Sequence, residues 1–198
     1  MSWSVSAQNH LLGRVGVQPR WLLWVEAKVP GTLAAAPVGL WNGGDDLTFT
    51  IDGSPRVYNG ALSTFDVEPI TYGTGLDVRS LRVTLAANAP ETEDLVRGYL
   101  IRLAQVELHL ALFDPMTDAL IEADPMWRGF INRAPLSTSA QGGAETVSFE
   151  IVSQMRLLAL PGPQLKKTDA AQSRRGGDRF RRHGSVAGEI PVSWMKKE

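Results

Sequence analysis

The stretch "VELHLALF", residues 106–113, sets Val106, Leu108, Leu110 and Leu112 against Glu107, His109, Ala111 and Phe113. A period of two sends alternate side chains to opposite faces of a strand, whereas a helix would scatter the same leucines around its axis. The pattern predicts a β-strand with its Val/Leu face inward. It stops at "DPMTD", residues 114–118, where aspartates and a proline mark a turn. On this reading His109 stands beside Glu107 on the outer face and is expected to be a solvated or hydrogen-bonded surface histidine.

The same alternation spreads outward in both directions. "ALIEADPMWRGFINRAPLST" (119–138) and "TVSFEIVS" (146–153) follow, parted by the Gly-Gly turn of "SAQGGAE" (139–145), with Val147, Phe149 and Ile151 inward. Upstream, "NAPETEDLVRGYLIRLA" (88–104) places Pro90 in a first turn and Glu91, Glu93 and Asp94 where a helix N-terminus favours negative charge, which predicts one short helix. In "LDVRSLRVTLAA" (76–87) the apolar parity runs through Leu76 and Val78 and then through Leu81, Val83 and Leu85. The change at Arg79–Ser80 predicts a bulge or bend.

Residues 38–60, "VGLWNGGDDLTFTIDGSPRVYNG", contain three turn signals, Asn42–Gly43–Gly44, Asp52–Gly53–Ser54–Pro55 and Asn59–Gly60. Between them Leu47, Phe49 and Ile51 alternate with Thr48 and Thr50, so hairpins are expected. "RWLLWVEAKV" (20–29) reads as a strand closed by Pro30–Gly31, with Trp21 and Trp24 on opposite faces, and "AQNHLLG" (7–13) as a helical turn or two. Trp41 and Trp127 are expected in the core. The chain therefore reads as mainly β: eight to ten short strands with one or two short helices, in an antiparallel barrel or sandwich. The two prolines and the glycine of "LPGPQLKKTD" (160–169) end the pattern, giving a body over 1–161 and an extended arm over 162–198.

The charge divides at the same place. The body holds 11 Lys and Arg against 17 Asp and Glu, and the arm 9 against 4, although the whole chain is close to neutral. With no cysteine there is no disulfide, thiolate zinc site or iron–sulfur cluster to expect, and no apolar run approaches the ~20 residues that span a bilayer. His10, His109 and His183 share no ligand spacing. The adjacent carboxylates of "GGDD" (43–46) read as turn residues, and no nucleophile-and-base, zinc-helix or phosphate-loop motif occurs. No metal, no cofactor and no catalytic residue is assigned, and the chain is not expected to be an enzyme.

The arm is the strong electrostatic feature. Arg174, Arg175, Arg179, Arg181 and Arg182 surround Phe180, Asp178 interrupts them, and Ile190, Pro191 and Trp194 follow. Arginine and aromatic residues anchor protein interfaces, and a purely solvated polycation has no use for an apolar ending. Arg174, Arg175, Asp178, Arg179, Phe180, Arg181, Arg182, Ile190 and Trp194 are therefore the candidate docking residues. A solvated tail and a single-strand nucleic-acid binder, with arginines on phosphates and the ring on a base, are the alternatives.

Taken in order, "WLLWVEAKV" (21–29), "LWNGGDDLTFTIDGSPRVYNGALSTFDVEPI" (40–70), "LDVRSLRVTLAAN" (76–88), "RLAQVELHLALFDPMTDALIEADPMWRGFINRAPLST" (102–138), "GAETVSFEIVSQMRLL" (143–158) and "DAAQSRRGGDRFRRHGSVAG" (169–188) resemble the hub or tip proteins at the distal end of phage tails. That family includes baseplate hub proteins of gene-transfer agents and the tail-tip attachment protein of lambdoid phages. The resemblance implies a virion structural protein, assembled in the bacterial host cytoplasm. In it, β-barrel domains of three subunits would form a ring that joins the tail tube to a central tip or spike. It implies a homotrimer, contacts with a distal tail protein and a tip protein, DNA only in passage through the channel, and no stable membrane association. Some relatives hold an iron–sulfur cluster, which this cysteine-free chain lacks the ligands to bind. A distal tail ring protein is the alternative role, and a nucleic-acid-binding β-barrel protein a further one.

Overall fold

The computed structural model describes residues 3–60, 62, 64–73, 77–137, 145–156 and 168–183. Leu76, Ile190, Pro191, Trp194, most of the 139–145 turn and the expected boundary at 162 lie outside the described residues. The chain divides into two compact units, Met1–Ala159 and Leu160–Glu198.

The first unit is mainly β, as expected. Helix α1 (Val5–Leu12) opens it, capped by the Ser4 hydroxyl, which accepts from the Ala7 N–H at 3.3 Å. So short a helix needs outside support. Glu122 supplies it, accepting from the Ser4 N–H and hydroxyl at 2.9 and 2.7 Å. Strands β1 (Gln18–Lys28), β2 (Ala35–Trp41), β3 (Leu47–Ile51), β4 (Ser54–Asn59), β5 (Phe65–Val67) and β6 (Ser80–Ala86) follow. Then come α2 (Pro90–Glu93), a π-helical turn (Asp94–Gly98), β7 (Leu100–Phe113), β8 (Leu120–Arg133), β9 (Leu136–Ser137) and β10 (Thr146–Ser153).

The strands form one sheet in the order β3-β4-β2-β1-β7-β8-β10-β6-β5, with β9 on β10. Every pairing is antiparallel except β2 with β4. The stretch at 106–113 is the second half of β7, which with β8 makes a hairpin of two 14-residue strands rather than short ones. Its turn is fixed by the Asp114 carboxylate, which accepts from the Met116 N–H at 2.8 Å.

Only one hairpin forms within residues 38–60. Asp52 and Gly53, both at positive φ (49° and 77°), make the tight β3–β4 turn. Asn42–Gly44 links β2 to β3 without pairing them, and β4 returns beside β2 in parallel. The close return requires a glycine at position 39, where a Cβ would sit 2.3 Å from the Val57 carbonyl oxygen. The "GGDD" carboxylates are turn residues: Asp46 accepts from the Gly60 N–H at 2.9 Å, and the Asp45 carbonyl accepts from the Trp41 indole at 2.8 Å.

Two expectations shift in detail. The parity change at Arg79–Ser80 is the point where β6 begins rather than a bulge within it, and the register shifts fall elsewhere, one between Leu108 and His109 of β7. The helix from Pro90 holds α geometry for four residues and then widens into the π-turn.

One face of the sheet encloses the main core. Leu23, Val25, Leu40, Val83, Leu85, Val106, Leu108, Val147, Phe149 and Ile151 are all buried there. The short helices α1 and α2 cannot cover so many strands, so the sheet must curl onto itself to exclude water from this face. Trp21 packs on this core and Trp24 on the opposite face, as the alternation predicts. Trp41 is buried, and Trp127 is half-buried against the main core.

A second core lies on the other face of β1, β2 and β7. There Leu22, Trp41, Ala111 and Phe113 meet Phe49, Ile51 and Tyr58 of the β3–β4 hairpin, which folds over them. Aromatic edges and faces interlock, with Trp41 and Phe49 centroids 5.2 Å apart and Phe49 and Phe113 5.5 Å apart. Among the described residues no helix is long and apolar enough to cross a membrane.

Candidate functional site

The docking residues proposed from sequence fall in the second unit. Where it is described, residues 168–183, the chain takes helix α3 (Asp169–Ser173) and then a series of turns. Thr168 caps α3 through its hydroxyl, and Gly176 and Gly177 bend the chain at positive φ. Asp178 closes the turn, accepting from the Gln172 amide at 2.7 Å and the Phe180 N–H at 2.9 Å; these two hydrogen bonds hold its carboxyl below the usual range. Asp178 is therefore a structural residue inside the arginine cluster. Arg179 is spent in the same way, paired with Asp169 at 2.8 Å.

The remaining arginines are not spent. Arg174, Arg175, Arg181 and Arg182 are exposed and form no ion pair among the described residues, and Phe180 is 85% exposed. The Phe180 ring thus stands in water between Arg179, whose guanidinium is paired, and Arg181, which has no ion pair among the described residues. Ile190 and Trp194 lie outside the described residues, so this unit brings together seven of the nine proposed positions.

The body holds a charged cluster that the sequence reading missed. His109 is fully buried, not a surface residue, and Glu107 is 7% exposed. The correction follows from the second core: Glu107 and His109 do point away from the main core, but the β3–β4 hairpin covers that side. Leu22 and Trp24 of β1 are their cross-strand neighbours. On the hairpin, Arg56 shares its inner face with Tyr58 and Phe49, and its guanidinium meets Glu107 at 2.6 Å and lies 5.0 Å from the Trp24 ring centroid. Arg128 of β8 reaches Glu107 at 3.3 Å and Asp52 of the hairpin turn at 3.0 Å.

The sequence carried a signal for this. Arg56 alternates with the exposed Val57 onto an aromatic face, and an arginine there demands a buried carboxylate, which Glu107 supplies from a strand about fifty residues away.

Asp52, Glu107 and His109 bring three ligating atoms within 4.8 Å of one another. A nitrogen and two carboxylates form a recognisable donor set for a divalent ion. They do not suit one here, because Arg56 and Arg128 already engage both Glu107 oxygens and one Asp52 oxygen. Two guanidinium groups stand where a cation would have to displace them. The cluster is a clasp that fastens the hairpin to the sheet.

His109 is its weak point. Neither ring nitrogen has a hydrogen-bond partner among the described residues, and burial pushes the imidazole below its ordinary value; Glu107 and Asp52 oppose that shift and Arg56 and Arg128 add to it. A buried histidine that stays neutral in the fold is protonated first in the unfolded chain. The stability it contributes is present above the free-histidine pKa of about 6.5 and is lost as pH falls below it. Melting temperature is accordingly expected to decline from pH 7 towards pH 5 and to decline less in His109→Gln; equal slopes for the two proteins would refute this. Glu150, held low by hydrogen bonds from Asn132 and Arg133, acts in a separate and more acidic window.

No protein-family model and no curated protein sequence matches the chain. Among solved structures, a chain from the virion of a native gene transfer agent particle is similar to it at 18% identity and a TM-score of 0.47. The match covers 81% of this chain and 48% of that one, so this chain spans about half the length of its structural neighbour.

Proposed function

We propose that this chain is a structural virion protein of the phage tail tip or baseplate, one subunit of the hub ring that joins the tail tube to the central tip. The observation that carries this reading is the ordered series of segments from "WLLWVEAKV" to the terminal run of Gln172, Arg174, Asp178 and Phe180, which resembles hub proteins along most of the chain. The chemistry of the two units supports it. The body uses its buried charges to fasten its own hairpin, with both Glu107 oxygens already spent. The arm leaves four arginines and Phe180 without partners among the described residues. Such a protein acts by assembly, through its own copies and through a distal tail protein and a tip or spike protein, and not by catalysis. A mildly acidic body suits a channel that DNA passes without sticking, because a basic lining would hold the polyanion by counterion release.

Ordering the arm on a partner costs roughly 1–2 kcal/mol per residue in backbone entropy, which only buried anchors can offset. Deleting residues 172–198 is expected to leave a body that melts as the full chain does but no longer joins tips. Native mass measurement of the full chain should give three copies per ring. Assembly of intact tips by the truncated protein, or a sixfold ring, would remove the hub reading, the latter in favour of a distal tail ring.

A further inference from the structure

A cavity of about 250 Å³ opens beside the π-turn, and Thr92, Glu93, Arg97, Leu136, Glu145 and Val147 are among its lining residues. Of its apolar lining residues Val147 is fully buried and Leu136 is 44% exposed. Three independent observations mark it as built for a ligand. Thr92 is fully buried and its hydroxyl has no hydrogen-bond partner among the described residues. The exposed Glu145 makes no ion pair among the described residues, while its carbonyl accepts from the Ala87 N–H at 2.9 Å and holds the residue in place. The helix above changes from α to π at Asp94, a rare widening that is concentrated at functional sites.

The chemistry selects the occupant. Among the described residues Glu93 shares its carboxylate only with Arg97, at 2.8 Å, in a pair whose side chains are 50% and 65% exposed and therefore exchangeable. The carboxylates of Glu93 and Glu145, the apolar Leu136 and Val147 and the Thr92 hydroxyl fit a planar guanidinium on an aliphatic stem better than a compact ammonium. The basic arm offers that group. Arg181 and Arg182 are exposed without acidic partners among the described residues, and they directly follow Phe180, whose ring would cover Leu136.

We propose that this cavity receives Arg181 or Arg182 from the arm of a second copy of the chain, with Phe180 seated on Leu136 at its mouth. The inference rests on the reading of the chain as a self-assembling tail-tip subunit.

The absence of native cysteine allows a direct test. Full-length Glu145→Cys and Arg181→Cys proteins, prepared separately, mixed and treated with a short bismaleimide, are expected to give a covalent heterodimer that neither protein gives alone. Glu93→Arg with Glu145→Arg should weaken self-association in sedimentation at least about tenfold, the scale of a broken interfacial charge pair. Adding Arg181→Glu and Arg182→Glu should restore it. Both glutamates are exposed, so an unchanged far-UV spectrum is expected for every variant.

If self-association survives charge reversal and no heterodimer forms, the cavity assignment fails and the assembly reading stands. If the full chain joins tips yet never associates with itself, the second-copy occupant is wrong and the tail-tip role survives. If it does neither, both fall. Cross-linking confined to single chains of a Glu145→Cys/Arg181→Cys double variant would also overturn the second copy as occupant.

Discussion

Glu107→Ala is expected to lower the free energy of unfolding by about 3–5 kcal/mol, the range for removing one partner of a buried ion pair. Arg56 and Glu107 are only 15% and 10% exposed as side chains. The substitution leaves the Arg56 charge between Trp24 and Tyr58 with no carboxylate, and it deprives Arg128 of one of its two. The cost comes from the stranded cation and much less from the lost attraction. Replacing both partners by apolar residues of similar volume, Arg56→Met with Glu107→Leu, should therefore cost far less than Glu107→Ala alone. Glu93→Ala removes a carboxylate from an exposed i,i+4 pair and should cost no more than about 0.5 kcal/mol. Urea titrations of the variants decide the matter. A Glu107→Ala loss no larger than that of Glu93→Ala would mean that the clasp does not hold the hairpin.

Gly129→Val is expected to cost about 3 kcal/mol or more, the upper end for overpacking, because the strain cannot relax without opening the sheet. Gly129 sits on β8 opposite Val106 on one side and Ser153 on the other. A Cβ there would lie 2.1 Å from the Val152 carbonyl oxygen, which is backbone and cannot rotate away. The seam it blocks is short: Glu150, Ile151, Val152 and Ser153 pair with Arg133, Ile131, Phe130 and Gly129, with a register shift inside that run. Beyond it hang β10, β6, β5 and β9, with Val147, Phe149, Val83 and Leu85 of the main core. Gly44→Ala, where a Cβ meets nothing within 4 Å, is the control and should change stability little. Thermal unfolding of the two variants side by side provides the measurement, and a Gly129→Val loss below about 1 kcal/mol would show that the strands can part here without cost.

The strands were legible in the sequence wherever one face met the core and the other met water. Val147, Phe149 and Ile151 are buried as their spacing predicts, and so are Leu81, Val83 and Leu85. The reading failed at His109 because alternation assigns a residue to a face but does not say what covers that face. A surface histidine and a histidine under a hairpin have the same local sequence. The cover was announced elsewhere, by Phe49, Ile51 and Tyr58, an apolar face on a two-stranded hairpin that cannot stand alone in water. The parallel return of β4 was not legible either, since the turn residues at 42–44 fix a reversal and leave the partner open. In the arm, the arginines were visible from composition, but the roles of Asp178 and Arg179 as internal fastenings required the fold of the turn.

The place of β1 in the sheet has a consequence for synthesis. Its two neighbours are β2, which follows within a few residues, and β7, whose last residue is Phe113. On a ribosome adding about 5–20 residues per second, β1 is complete roughly 4–17 s before the strand that covers its other edge. Through that interval the backbone of a tryptophan- and leucine-rich strand has one side unpaired, a template for any neighbouring nascent chain. Two chains synthesised side by side can meet at this edge, which makes the interval before β7 emerges the time at which β1 is open to mispairing.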